Sequence, residues 1–308
     1  MENIAILGLG LIGGSLALAL RQAHLTEHIA GYDIDPETTR HARERGAITQ
    51  DCATVEEAVQ GAELVILATP IRELPALLAQ IAPTLKPGAL VTDTASTKRQ
   101  VVQWARAALP AHVVFVGGHP MAGSERSGIE AAEAALFTGC TYCLTPTSET
   151  PREAVDRLSE LVTGLAAHAL VLDAQEHDRL VAGISHLPFV LSAAMVHILG
   201  QAREWPQMAA LVAGGYRDMS RLVAGSPLMH EDICRTNTGA IVHWLDRLIM
   251  HLAEIRSLLL TGDETIERYF VQAMVIREGI FNAEGALMSR CEQTKLAQRA
   301  QTRKAGGR

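Results

Sequence analysis

The chain has 308 residues, of which 48% are apolar and 20% charged, and a formal net charge of −7. That length holds two domains with cores of their own, the apolar share excludes a disordered chain, and the acidic balance excludes nucleic acid as a partner, since phosphates require a concentrated basic face. Five cysteines, an odd number, with no signal-like leader fit a reducing, cytoplasmic setting.

Asn3 to Leu7 reads as a short apolar strand, followed by Gly8-Leu9-Gly10-Leu11-Ile12-Gly13-Gly14-Ser15 and a helical run from Leu16 to Gln22. Gly8, Gly10 and Gly13 allow a tight turn and the close approach of a pyrophosphate to backbone N–H groups at the helix start, with Leu11 and Ile12 in the same loop. A second strand, Ile29 to Tyr32, ends in Asp33, twenty positions beyond Gly13. Asp35 precedes Pro36 as an N-cap precedes a proline in the first turn. Asp33 therefore remains for the adenosine ribose hydroxyls, where a carboxylate repels a 2′-phosphate and favours NAD over NADP.

The alternation continues with a strand from Leu64 to Ala68 ending at Thr69-Pro70, both candidate cofactor contacts, then a helix from Ile71 to Ile81 and a strand from Ala89 to Thr92 ending at Asp93. Such alternation means βαβ units and a mostly parallel sheet. The loop Asp93 to Lys98 opens another helix. Thr97 with Gln100 fits a capping box that frees the Ser96 hydroxyl for a ligand, although Ser96 could itself be the cap. In Val113 to Gly128 an apolar strand runs out through Gly117 and Gly118 onto His119. An imidazole at a strand end is a candidate for handling a proton; the plainer alternative is a loop histidine capping a turn. Glu125 and Arg126 add charge nearby. Tyr142 to Leu144 and Ala169 to Leu172 are further strands around a helix from Arg152 to Leu165. The lone pair Cys140 and Cys143 has no second pair beside it and reads as core filler, with no metal expected.

Beyond about Asp173 the pattern is helical, with breaks at Gly200, Pro206, Gly214-Gly215 and Gly225-Ser226-Pro227. Leu180 to Ala202 carries no Asp, Glu, Lys or Arg. Gly183, His186, Pro188 and His197 within it point to a helix buried in a helical domain or subunit interface rather than a membrane span. Ile241, Leu245, Leu248, Leu252, Ile255 and Leu259 form an apolar stripe on one helix, and that much apolar helical surface implies a partner subunit. Arg217 and Arg221 stand four apart beside Asp218, a spacing that places both on one helical face for an anionic substrate; solvated surface arginines are the alternative. His186 lies on an otherwise apolar run, as a ligand contact or as a satisfied core histidine.

These pieces resemble the prephenate and arogenate dehydrogenases of tyrosine biosynthesis, over roughly residues 3 to 260. The resemblance is carried by GLGLIGGS at Gly8 to Ser15, TDTASTK at Thr92 to Lys98, GGHPMAG at Gly117 to Gly123, SHLP at Ser185 to Pro188 and GGYRDMSR at Gly214 to Arg221. It implies an α/β fold: an N-terminal Rossmann-type domain over residues 1–172 and an all-α dimerisation and substrate domain over 173–294; residues 295–308, short, basic and glycine-ended, read as a frayed tail. The resemblance implies NAD as cofactor, prephenate or arogenate as substrate and a homodimer; from the reading of Leu180 to Ala202, no membrane partner is expected. His119 is then the residue that hydrogen-bonds the ring C4 hydroxyl as hydride leaves C4, and loss of CO₂ accompanies the transfer. Ser96 shares the hydroxyl contact and Arg221 holds a substrate carboxylate, with His186, Glu125 and Arg217 as further substrate contacts.

One departure concerns substrate choice. Many prephenate-using members carry a second histidine just after SHLP, where this chain has Phe189. Two other readings compete. A β-hydroxyacid dehydrogenase shares the two-domain plan but needs a helix lysine, and no lysine lies between Lys98 and Lys295. A dinucleotide-binding sensor would keep the fold without the chemistry.

Overall fold

The computed structural model describes residues 2–124, 126–262 and 264–280. Glu125 and the tail expected at 295–308 lie outside the described residues. One compact unit runs to Trp244 and a second begins at Leu245. The first opens with β1 (Asn3–Leu7), α1 (Leu11–Gln22), β2 (His28–Tyr32), α2 (Pro36–Glu44), β3 (Gln50–Asp51), α3 (Val55–Val59), β4 (Leu64–Leu67), α4 (Leu74–Ile81), β5 (Leu90–Asp93), α5 (Arg99–Ala108), β6 (Val114–Pro120), β7 (Thr141–Thr145), α6 (Arg152–Gly164) and β8 (His168–Val171). Helices follow: α7 (Ala174–Val181), a π turn (Ala182–His186), α8 (Leu187–Gly200), α9 (Trp205–Ala210), α10 (Gly214–Ser220), a 3-10 turn (Arg221–Ala224), α11 (Pro227–Thr236) and the start of α12 (Thr238–Thr261). The second unit holds the rest of α12 and α13 (Thr265–Glu278).

The strands form one sheet in the order β3-β2-β1-β4-β5-β6-β7-β8, parallel except where β6 meets β7. Successive side chains on a strand face opposite ways. Ile4 and Ile6 therefore join a core layer with α1 and α6, whereas Ala5 and Leu7 join the opposite layer with α3, α4 and α5. Because both faces are covered, β1 and β4 read as unbroken apolar runs. β3 is exposed, and nothing in Gln50 and Asp51 marks it in the sequence. Strand order reverses between β1 and β4, the place where such sheets open a ligand crevice at the carboxyl ends of their strands.

β6 runs through its two glycines onto His119, as the sequence suggests, but changes partner on the way: Val114 to Val116 pair parallel with β5, and Gly117 to Pro120 continue antiparallel to β7. A Cβ on Gly117 would lie 2.4 Å from Thr145 Oγ1, and one on Gly118 2.5 Å from the Asp93 carbonyl oxygen. The bare backbone is what lets three strands close around His119.

The helical run Ala174–Gly200 is long and apolar enough to cross a bilayer by length and composition. Within it the polar residues His177, Asp178, His186 and Ser192 are buried, and Ala182 and Phe189 enter a sheet core layer. Pro188 does not break it. A proline lacks the N–H and crowds the carbonyl one turn back, and the wider π turn just before α8 accommodates that loss. Pro206 and Gly214-Gly215 stand at the starts of α9 and α10. On the apolar stripe Ile241 is buried, but Leu252 and Leu259 are 52% and 66% exposed, so α12 does not cover its stripe within the described chain.

Candidate active site

The nucleotide loop is shaped by what its glycines allow. Gly8 has φ +91, in the left-handed region that disfavours a side chain, and a Cβ there would lie 2.6 Å from the Ala68 carbonyl oxygen. A Cβ on Gly13 would meet the Gly8 carbonyl oxygen at 1.9 Å, whereas nothing lies within 4 Å of one on Gly10. The loop is thus closed inward and open at Gly10. That residue is the N-cap of α1, without a side-chain cap and with no acid in the first turn, so the Leu11 and Ile12 N–H groups have no intrahelical acceptor. Across the loop, the buried Thr69 hydroxyl has no partner among the described residues, and Pro70 is exposed beside it.

Asp33 Oδ2 accepts the Leu9 N–H at 2.7 Å, and Oδ1 accepts the Asp35 N–H at 3.1 Å. One carboxylate therefore anchors the loop and stands at the end of β2. Asp35 caps α2 through the Glu37 N–H, ahead of Pro36, as its place in the sequence implies. An open glycine cradle, an orphaned hydroxyl and an acid at the strand end fit a dinucleotide, its pyrophosphate on Gly10 to Ile12 and a ribose at Asp33.

The start of α5 overturns one expectation. Neither Ser96 nor Thr97 caps it. Thr97 Oγ1 is instead 2.8 Å from Thr236 Oγ1, and the Asp178 carboxylate, 80 positions from Lys98, accepts the Lys98 N–H at 2.7 Å and the Arg99 N–H at 2.9 Å. A buried tertiary partner displaces the local capping box because it satisfies two orphan donors with one charge. Ser96 sits half-buried in the bend before this cap, with its hydroxyl uncommitted to the helix.

His119 is 8% exposed and is the penultimate residue of β6. Its Nδ1 lies 2.9 Å from His177 Nε2, the rings crossing at 71°, and His177 Nδ1 lies 2.8 Å from Asp178 Oδ1. The backbone beneath is clamped: Asp93 Oδ1 accepts the Gly118 N–H at 3.1 Å, while the fully buried Lys98 pairs with the Asp93 carboxylate and donates to the Gly118 carbonyl at 2.6 Å. Burial is the first reason that the His119 pKa falls well below its ordinary 6.5, and charge on His177, Lys98 or His186 would lower it further. Burial likewise lowers the Lys98 pKa, against the opposing pull of Asp93. A neutral imidazole held this way is a proton acceptor.

His186, 1% exposed, has Nδ1 3.2 Å from Asn237 Nδ2, and that amide also donates to the Asp178 carbonyl at 2.8 Å. Burial takes its pKa down to about 4. Phe189 is 8% exposed and stacks on His230 with centroids 4.4 Å apart. Arg217 and Arg221 are exposed, the first on α10 and the second in the 3-10 turn where the helix tightens, packed beside α8. They are not members of the buried histidine cluster. Arg126 is engaged by Glu133 at 3.0 Å and by the Ala131 carbonyl. His177, Asp178 and Asn237 did not stand out in the sequence. The available signal was a His-Asp pair just ahead of the uncharged run that begins at Leu180.

Comparison with known proteins follows the same lines. A family model for the prephenate dehydrogenase nucleotide-binding domain matches residues 16–171, and one for the prephenate dehydrogenase dimerization domain matches 173–275. The chain is 37% identical over 282 residues to a prephenate dehydrogenase of Bacillus subtilis, covering 91% of this chain and 76% of that one. It is 38% identical over 291 residues to a prephenate dehydrogenase of Lactococcus lactis, covering 93% and 80%. Its fold is similar, at a TM-score of 0.85 and 28% identity, to the crystal structure of prephenate dehydrogenase from A. aeolicus in complex with hydroxyphenyl propionate and NAD+, covering 91% of this chain and 98% of that one.

Proposed function

The chain belongs to the prephenate dehydrogenase family, and from that premise we propose how its residues carry the reaction. The enzyme is an NAD-dependent oxidoreductase that converts prephenate to 4-hydroxyphenylpyruvate with loss of CO₂; arogenate is not favoured as its substrate. NAD, when bound, supplies the acceptor for the hydride that leaves ring carbon C4.

His119 is the base. It takes the C4 hydroxyl proton as that oxygen becomes a carbonyl, and returns it when the bond to the ring carboxylate breaks and its electron pair makes the ring aromatic. The observation that carries this reading is the burial of His119 in a neutral state, braced through His177 by Asp178. Ser96, in the adjacent bend, shares the hydroxyl. Arg221 holds a substrate carboxylate with a planar fork suited to bidentate contact, and Arg217, His186 and Glu125 complete the substrate's surroundings. Gly8, Gly10, Leu11, Ile12 and Gly13 receive the pyrophosphate, Asp33 the ribose, and Thr69 and Pro70 the face of the cofactor beyond the loop.

We further propose a boundary at residues 172 and 173, in keeping with the limits of the two family models. Exposed apolar side chains on α8, α12 and α13, among them Ile198, Ile249 and Phe270, support a homodimer formed through the helical part. Four free cysteines among the described residues support a reducing compartment such as the cytoplasm. Mixing the purified protein with NAD and prephenate and following NADH absorbance tests the activity, with arogenate and NADP as the contrasting additions. Absence of NADH formation with prephenate would refute the reading.

A further inference from the structure

Two buried imidazoles of the site are held from one residue by separate routes, and the hydrogen bonds decide which ring nitrogen of each bears the proton. The Asp178 carboxylate accepts two backbone N–H groups at the start of α5, so it acts only as an acceptor. His177 Nδ1, 2.8 Å away, therefore donates to it. A neutral His177 is then left with a bare Nε2, and the 2.9 Å contact to His119 can be filled only by His119 Nδ1–H. The other nitrogen of His119, Nε2, is bare.

The second route runs through the backbone of the same residue. Asn237 Nδ2 is 2.8 Å from the Asp178 carbonyl oxygen, and only the NH₂ of an amide can face a carbonyl, which settles the orientation of that side chain. Its second N–H points at His186 Nδ1, 3.2 Å away. His186 thus accepts at Nδ1 and carries its proton on Nε2. That nitrogen is buried and has no partner among the described residues.

We propose that Asp178 sets these histidines in opposite tautomers: His119 with a bare Nε2 that accepts a proton, and His186 with an Nε2–H that donates to an oxygen of the bound substrate or cofactor. His177 and Asn237 are positioning residues, acting through the histidines they hold. The proposal rests on the reading of His119 as base. The proton that reaches Nε2 leaves Nδ1–H bonded to His177, and it returns to the same oxygen after CO₂ departs, so no proton is gained or lost by the protein. The groups facing His119 are His177 from α7, Lys98 and Asp93 from the ends of α5 and β5, and His186 from the π turn, with Asp178 behind His177.

The direct test is long-range ¹H–¹⁵N correlation of histidine-labelled full-length protein near pH 8, with rings assigned through His119→Asn, His177→Gln and His186→Asn. Protonation at Nδ1 in His119 and at Nε2 in His186 is expected; the reverse at either ring overturns that half of the proposal. Asp178→Asn removes the charge that holds the His177 Nδ1 proton, so the His119 proton should no longer be confined to Nδ1 and kcat should fall by about 10²–10⁴-fold, with KM for NAD little changed. Because that variant also weakens the cap of α5, Asn237→Asp serves as a second probe. Its carboxylate draws the His186 proton to Nδ1 and should raise KM for whichever ligand supplies the oxygen, prephenate or NAD, with the His119 tautomer unaltered. Unchanged KM for both ligands overturns the donor role of His186. Correct tautomers together with a normal kcat for His119→Asn would uphold the network and refute His119 as base.

Discussion

Arg72 and Asp232, 160 positions apart, are joined twice: the Arg72 N–H donates to Asp232 Oδ2 at 3.2 Å and its Nε to Oδ1 at 2.6 Å. Glu231 takes a further contact from the same guanidinium at 3.0 Å. The pair ties the turn after β4, next to Thr69 and Pro70, to α11, and the Asp232 side chain is only 4% exposed. Hydrogen bonds to a buried charged group contribute about 1.5–3 kcal/mol. Asp232→Ala is therefore expected to lower Tm by several degrees and to raise KM for NAD more than KM for prephenate. Thermal unfolding with and without NAD, beside steady-state kinetics, checks both.

The closure of β6 makes its two glycines unequal. The obstacle to a side chain at Gly118 is backbone, the Asp93 carbonyl, whereas at Gly117 it is the Thr145 hydroxyl. Overpacking of this kind costs about 1–3 kcal/mol where neighbours can move. Gly118→Ala should lose both Tm and kcat/KM more severely than Gly117→Ala, and Thr145→Ala should partly restore only the latter. Equal losses without restoration would contradict this account of the strand switch.

Cofactor choice follows from Asp33. Its carboxylate already accepts the Leu9 N–H at 2.7 Å, which holds it in place at the end of β2, and a fixed negative charge there repels a 2′-phosphate. NAD is expected to give a higher kcat/KM than NADP, and Asp33→Asn should narrow the ratio by weakening NAD more than NADP. A wild-type preference for NADP would remove the role given to Asp33.

Replacing His119 and Arg221 should fail in different ways. His119→Asn is expected to lower kcat by about 10²–10⁴-fold, and Arg221→Ala chiefly to raise KM for prephenate, since a carboxylate is held in ground and transition states alike. The pH dependence has a definite sign. The base works unprotonated, so kcat/KM is level above the His119 pKa and falls as pH drops through it. Burial places that pKa well below 6.5, so the acid limb of the free enzyme belongs below pH 6.5. A limb above that value, or one that survives in His119→Asn, would show another group to be titrating.

The apolar surface left on the helices bears on assembly. Leu252 and Leu259, from the stripe of α12, are 52% and 66% exposed, and Ile198 on α8 is 68% exposed. A homodimer is expected in dilute solution by light scattering, and charged replacements at Leu252 and Leu259 should dissociate it. A wild-type species that persists at the mass of one chain would refute the assembly.

Much of this molecule is written locally. The apolar runs of β1 and β4, the glycine loop before α1, the acid twenty residues on and the cap at Asp35 are consequences of near neighbours in the chain, and the fold class and cofactor were legible from them. His119 and Arg221 could be singled out because they sit in glycine-bearing motifs, and Ser96 because the loop before α5 left its hydroxyl free. The two-residue β3 carries no pattern, and the change of partner along β6 was not legible because the antiparallel partner of its glycines is supplied by β7, more than twenty residues on. The Thr97 capping box was a sound local expectation that lost to the Asp178 carboxylate, 80 positions from the Lys98 N–H that it accepts. Which nitrogen of His119 is bare, and which groups the buried Asp178 carboxylate serves, are questions of long-range hydrogen bonding. A buried donor or acceptor takes whichever partner the packed chain brings to it, and sequence distance does not enter that energy.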